Sequence, residues 1–139
     1  MLTFSKKKTY AAPASAVWDI IKGYNEIPTW HPAITGSTMT GNGGVGAVRT
    51  LDIQGGIQVV ELLEKHDDSA MSFTYSHAED PPMPFKNYVA EMTVRSEGDG
   101  RSSLEWSCRC EPLASEDEVS ELLDGFYGAG LDNIESMLK

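Results

Sequence analysis

The sequence predicts an α+β domain: a curved, seven-stranded antiparallel sheet meanders through the middle of the chain and wraps around one long C-terminal helix, with two short helices after the first strand. Three observations carry this expectation. Short alternating segments recur between residues 34 and 111, separated by the turn-forming runs GNGG, QGG, HDDS, AEDPPMP and EGDG. A capping-box pattern at Ser115 and Glu118 opens a helical period that runs to Leu138. Ahead of the sheet, a short alternating stretch passes into proline-punctuated helical spacing.

Residues 3 to 11 alternate polar and apolar side chains and form the first strand. Pro13 suits the first turn of a helix whose apolar face is Val17, Trp18, Ile20 and Ile21. Pro28 and Pro32 limit YNEIPTWHPAI to a short helical turn and a loop. Strands follow at 34 to 40, 46 to 53, 57 to 65, 70 to 77, 86 to 96 and 102 to 111. In the final helix Val119, Leu122, Leu123, Phe126, Tyr127, Gly130, Leu131, Ile134, Met137 and Leu138 recur at helical spacing. Gly125, Gly128 and Gly130 each cost such a helix about 1 kcal/mol relative to Ala. Close packing against the sheet is one reason to keep them; room for a ligand at Gly130, on the apolar face, is the other. A curved sheet and a helix do not meet along their whole length, so a cavity is expected between them.

The chain of 139 residues is the size of one domain, taken as 1–139. Its formal charge of -10, with 11 Lys and Arg and no basic stripe beside stacking aromatics, argues against nucleic acid or an anionic membrane as partner. No charged leader precedes an apolar run, and no apolar stretch approaches about 20 residues, so membrane insertion is not expected and the chain is placed in the cytoplasm. Cys108 and Cys110 are two apart on one strand face, poorly placed to bridge each other, and read as reduced core thiols.

The hairpin VGAVRTLDIQGGIQVVELL places charge where apolar residues belong. Its first strand has the apolar parity Val45, Ala47, Leu51, Ile53, which includes Arg49; its second has Ile57, Val59, Leu63, which includes Glu61. A three-residue Gln54-Gly55-Gly56 connection pairs Ile53 with Ile57, Leu51 with Val59, and therefore Arg49 with Glu61. The same parity through HDDS pairs Leu63 with Phe73, Glu61 with Tyr75 and Val59 with His77. Through EGDG it pairs Val94 with Leu104, Met92 with Trp106, Ala90 with Cys108 and Tyr88 with Cys110. The inward face thus carries Arg49, Glu61, Tyr75, His77, Tyr88 and Trp106 among aliphatic residues. A buried arginine–carboxylate pair gains little over apolar replacements. It either braces the sheet with Tyr75 or serves as a polar anchor in an apolar pocket.

In the second case Arg49 meets an anionic or carbonyl oxygen, Glu61 orients Arg49 or accepts a hydrogen bond, and Tyr75 and Tyr88 donate. Trp30, Trp106, Phe126 and Tyr127 line or gate the cavity beside Gly130. An enzyme would use Glu61 or His77 to move a proton and Arg49 to stabilise an oxyanion. His77 is otherwise a rim residue, and Trp30 either a lid or a loop anchor. His31 and His66 fall on loops or turns, and the histidines show no metal-ligand spacing, so no metal is expected. Nucleophile motifs and phosphate-binding glycine loops are missing, and no cofactor is expected.

The segments AAPASAVWDIIKGYNEIPTWHPAI, GGVGAVRTLDI, VVELLEKHDD, FTYS, NYVAEMTV, LEWSCRCEP and FYGAGLDNIESML together resemble the START/Bet v1-like (SRPBCC) superfamily, in its polyketide cyclase/dehydrase-type branch. The resemblance covers nearly the whole chain. It implies a helix-grip fold enclosing a hydrophobic cavity, used to bind lipids, polyketides, steroids and hormones, and in some members to cyclise aromatic polyketides. Matching cavity positions are Arg49, Glu61, Tyr75 and Tyr88 on the sheet and Phe126, Tyr127 and Gly130 on the helix. Plant hormone receptors of this superfamily carry a lysine where this chain has Thr35, so their carboxylate clamp does not carry over. The expected function is binding of a small, mostly hydrophobic ligand with an oxygen function, by a monomer or homodimer. A cofactor-independent cyclase, dehydratase or isomerase is the alternative, and a protein-partner module the third reading.

Overall fold

The computed structural model describes residues 1–138. Strand β1 (Leu2–Tyr10) leads into helix α1 (Ala14–Ile21), a 3-10 helix at Tyr24–Thr29, and strands β2 (Ile34–Thr40), β3 (Val48–Ile53), β4 (Ile57–Asp67), β5 (Ser72–His77), β6 (Phe85–Gly98) and β7 (Arg101–Pro112). Helix α2 (Glu116–Met137) closes the chain. The strands form one antiparallel sheet in the order β1-β7-β6-β5-β4-β3-β2. Each hairpin pairs sequence neighbours, and β1 crosses over to pair with β7.

Pro13 stands at the N-cap of α1, one position before the first helical residue, and Val17, Trp18 and Ile21 are buried. The Ser115 hydroxyl caps α2 by accepting from the Glu118 backbone N–H at 3.2 Å, and Glu116, Asp117 and Glu118 complement the positive end of the helix. The buried stripe of α2 is Val119, Leu123, Tyr127, Gly130, Leu131 and Ile134. It lies against β1 and β7, while α1 lies against β6 and β7. The α2 helix is also fastened by polar contacts: the Tyr10 hydroxyl donates to the Leu131 carbonyl at 2.8 Å, and Asn133 Nδ2 donates to the Trp30 carbonyl at 2.9 Å. Tyr10 is almost completely buried. Tyr10→Phe is therefore expected to cost about 1 kcal/mol in urea unfolding, with an unchanged m-value.

The β3–β4 register follows the parity argument: Ile53 faces Ile57, Leu51 faces Val59 and Arg49 faces Glu61. Gly55 and Gly56 both take left-handed backbone angles, φ 97° and 86°, which side-chain-bearing residues rarely adopt. The β4–β5 register differs from expectation. The turn lies at 68–71, because Asp67 pairs with Ser72, its carboxylate caps the Ser69 and Ala70 N–H groups, and Met71 adopts φ 53°. This shift would invert the facing of β5, but an irregularity between Leu63 and Lys65 restores it. Leu63 therefore faces Tyr75, not Phe73, and Glu61 faces His77, not Tyr75. In β6–β7 the pairs Val94–Leu104, Met92–Trp106 and Ala90–Cys108 form as expected. Tyr88 falls in an irregularity between Lys86 and Val89, beside Asn87 at φ 54°, and does not pair with Cys110. Both cysteines are buried free thiols, and burial pushes the Cys108 thiol up to about 11.

Candidate functional site

Because α2 packs on the β1–β7 side, the sheet between β3 and β6 is left partly uncovered beneath the first half of the helix. A pocket lies there, walled by Leu51, Ile53, Val59, Glu61, Tyr75 and His77 from β3, β4 and β5, Met83, Phe85 and Tyr88 from β6 and the segment before it, and Leu122, Leu123 and Phe126 from α2. Its volume, measured to the centres of water-sized spheres, is about 60 Å³. Leu122 is 42% exposed and marks its rim.

The polar groups at this pocket form two connected sets. In the first, Arg49 Nε and Nη2 donate to Glu61 Oε1 at 2.9 and 2.7 Å, and Nη1 donates to the Tyr24 carbonyl at 2.5 Å. The guanidinium stands 3.9 Å from the Tyr24 ring centre and 5.1 Å from that of Tyr75. On the other side of the carboxylate, Glu61 Oε2 is 3.4 Å from His77 Nε2. Burial by itself would raise the Glu61 carboxyl, but the Arg49 charge and the His77 contact prevail and hold it below its usual range. Glu61 is thus a buried anion neutralised from behind.

The second set is a string of hydroxyls. Trp106 Nε1 donates to Tyr75 Oη at 3.0 Å, Tyr75 and Tyr88 hydroxyls are 3.4 Å apart, and Tyr88 bonds Tyr127. Desolvation raises the pKa of all three tyrosines, so they stay neutral. Tyr127 lies flat on Trp106, ring centres 4.1 Å apart.

Of the residues expected at a ligand site, Glu61, Tyr75, His77, Tyr88 and Phe126 share the pocket wall. Arg49 stands behind Glu61 with every nitrogen engaged and does not face the pocket. Trp106 and Tyr127 stand behind the tyrosines. Trp30 is a buried anchor and not a lid: its ring packs at 5.6 Å from that of Trp106. The space at Gly130 is filled by protein, since a Cβ there would lie 2.7 Å from His31 Cδ2 and 2.9 Å from Trp30 Cζ3. His77 is no rim residue; its side chain is 6% exposed.

Four side chains escaped the sequence reading. Tyr24 clamps Arg49 with both its carbonyl and its ring. His31, treated as a loop residue, is completely buried: Ala33 N–H donates to its Nδ1, so Nε2 carries the hydrogen and donates to the Phe126 carbonyl at 2.7 Å. Desolvation lowers its pKa and keeps it neutral. Met83 enters from the AEDPPMP connection, whose turn chemistry gave no hint of a wall, and Phe85 follows at the first position of β6. A signal for His31 existed in its position between Trp30 and Pro32, opposite a glycine-bearing helix. No group of three or more metal-ligating side chains occurs among the described residues, and no described helix is long and apolar enough to cross a membrane.

Comparison with known proteins agrees with this architecture. The family described as polyketide cyclase/dehydrase and lipid transport matches residues 1–139. The protein XoxI from Bacillus cereus superposes with a TM-score of 0.92 at 29% identity, covering 99% of this chain and 96% of that one. A putative uncharacterized protein from Bacillus thuringiensis gives 0.90 at 29% identity, covering 99% and 98%. A solution structure from Thermobifida fusca gives 0.86 at 28%, covering 97% and 91%. No functionally curated protein matches the chain. With the helix-grip architecture on one side and a family match over the full length on the other, the chain belongs to the polyketide cyclase/dehydrase and lipid transport family.

Proposed function

We propose that this protein binds a small, mostly hydrophobic molecule carrying an oxygen function, as a carrier or sensor, in the pocket between α2 and strands β3 to β6. The observation that carries this reading is the chemistry of the wall: aliphatic and aromatic side chains interrupted by Glu61, His77 and two tyrosines at one end. Such a surface takes up an apolar body and orients it by its polar end. The family match supports the same class of ligand.

The experiment is capture from a small-molecule extract followed by native mass spectrometry, with Leu122→Trp as control. Leu122 stands at the rim and is well exposed, so a tryptophan there obstructs the pocket with little effect on the core. A mass retained by the wild type and lost by Leu122→Trp is expected. The purified compound should raise the unfolding free energy as RT ln(1 + [L]/Kd), about 2.7 kcal/mol at 100 Kd. Equal capture by both proteins would refute the assignment to this pocket.

A catalytic reading has one observation in its favour: His77 and Glu61 lie together on the wall, an arrangement suited to moving a proton. In that reading the captured compound is converted, as in a cyclase, dehydratase or isomerase without cofactor. The rate would then follow a pH profile that Glu61→Gln alters. An unchanged mass after prolonged incubation favours the carrier.

A further inference from the structure

The room between α2 and the sheet is divided into a filled part and an open part. Around Trp106 of β7 the rings of Trp30, His31, Trp106 and Tyr127 are almost completely buried and pack on one another, with Tyr127 flat on Trp106 and Trp30 edge-on to it. None of these four rings borders the pocket. Phe126 belongs to both parts. It lines the pocket, and its ring stacks on that of His31, with centres 4.2 Å apart and planes inclined by 28°. His31 also holds the helix at this point, because its Nε2 donates to the Phe126 carbonyl while its Nδ1 accepts from Ala33. The side chain of Phe126 is half-buried and has no polar atom, so packing alone fixes it.

Resting on the pocket-binding reading above, we infer that Phe126 determines ligand size: its ring is the partition that restricts the pocket to a short apolar group no wider than one ring and shuts out fused-ring molecules. The space on the pocket side is about 60 Å³, whereas an apolar cavity of about 150 Å³ takes up one benzene molecule. One ring therefore fills the pocket and still projects at the mouth, where Ile53, Met83 and Leu122 are partly exposed. A second fused ring must either stay in water or displace Phe126. The sheet side cannot retreat instead, since Glu61 is bound to Arg49, Tyr75 to Trp106 and Tyr88 to Tyr127. Replacing Phe126 by alanine removes the partition and extends the pocket towards His31 and Trp106, whose ring centres lie 4.2 and 5.9 Å from that of Phe126. His31 is a positioning residue in this arrangement, acting through Phe126.

A matched pair of neutral alcohols tests this: benzyl alcohol and 2-naphthalenemethanol, titrated by calorimetry into the wild type and into Phe126→Ala. The wild type is expected to bind benzyl alcohol about tenfold or more tighter than the two-ring alcohol, against the order of their apolar areas. In Phe126→Ala the order should invert. A merely structural role for Phe126 gives no inversion, because lost stability weakens both ligands together. Phe126→Leu keeps an apolar side chain against His31 and should fall between the two proteins; it decides the matter if the alanine variant does not fold. A second readout is the ring-proton resonances of His31, which should stay in place when benzyl alcohol binds the wild type and move when the two-ring alcohol binds Phe126→Ala. A two-ring alcohol that binds the wild type as tightly as benzyl alcohol does, or a folded variant that keeps the wild-type order, overturns the partition while leaving pocket binding intact. If neither alcohol binds the wild type, the pocket-binding reading fails and this one with it.

Discussion

Glu61→Leu is expected to lower the unfolding free energy by about 3–5 kcal/mol, because it leaves the Arg49 guanidinium buried with a single carbonyl partner. Arg49 is 2% exposed and cannot turn out to water without opening the contact with Tyr24. Removing both charges together behaves differently. Arg49→Met with Glu61→Leu restores apolar packing to the whole site, and most of the loss should be recovered. The difference between the double variant and the sum of the singles is the coupling energy of the pair. Acid unfolding gives an independent check with a definite sign. The folded state holds the Glu61 carboxyl below its unfolded range, so its contribution is complete above the unfolded value of about 4.3 and is lost as pH falls through the lower folded value. The wild type should therefore lose stability on acidification by more than the double variant does. A cost below about 1 kcal/mol for Glu61→Leu in urea, or a double variant as unstable as the single, would contradict this account.

The turn beside that pair explains why its two members were legible beforehand. On β3 and β4 the register is set by a three-residue connection whose two glycines are required by their backbone angles, so parity alone carries Arg49 to Glu61. The long helix was legible for a similar reason, since the Ser115 cap and the helical spacing are local signals. The β4–β5 hairpin has no such signal. Its turn is widened by an Asp67 side-chain cap and a left-handed Met71, and the parity error is cancelled by an irregularity two pairs away. Neither can be read from the alternation pattern, because the facing of Glu61 and His77 is the same with both features or with neither. The consequence falls on chemistry more than on fold: His77, and not Tyr75, becomes the neighbour of Glu61 on the adjacent strand. Arg49 illustrates the complementary limit. Its presence on the inward face was legible, but its contact with the Tyr24 carbonyl and ring depends on a 3-10 helix that only the folded chain brings over it.

The three glycines of α2 are expected to respond to alanine with different signs. In each case the helix gains up to about 1 kcal/mol of intrinsic preference, so any departure measures the space available to one methyl group. At Gly125 nothing lies within 4 Å of the added carbon, and Gly125→Ala should be stabilising by most of that amount. At Gly128 the carbon meets Lys6 Cε at 3.3 Å, the end of a flexible side chain that can yield, and the change should be close to neutral. At Gly130 the same carbon lands 2.7 Å from His31, 2.9 Å from Trp30 and 3.2 Å from Trp106. None of these rings is free to retreat. His31 is tied to Ala33 and Phe126, Trp106 is bonded to Tyr75 and stacked on Tyr127, and the Trp30 backbone is held by Asn133. Overpacking of this kind costs about 1–3 kcal/mol and outweighs the propensity gain, so Gly130→Ala should unfold at lower urea than the wild type. Loss of the Trp30 and Trp106 near-ultraviolet signal should accompany it, because those rings must shift to admit the methyl group. If Gly130→Ala instead stabilises the protein as Gly125→Ala does, the aromatic stack is looser than its distances indicate, and the glycine is then free for the other role open to it, leaving room for a ligand.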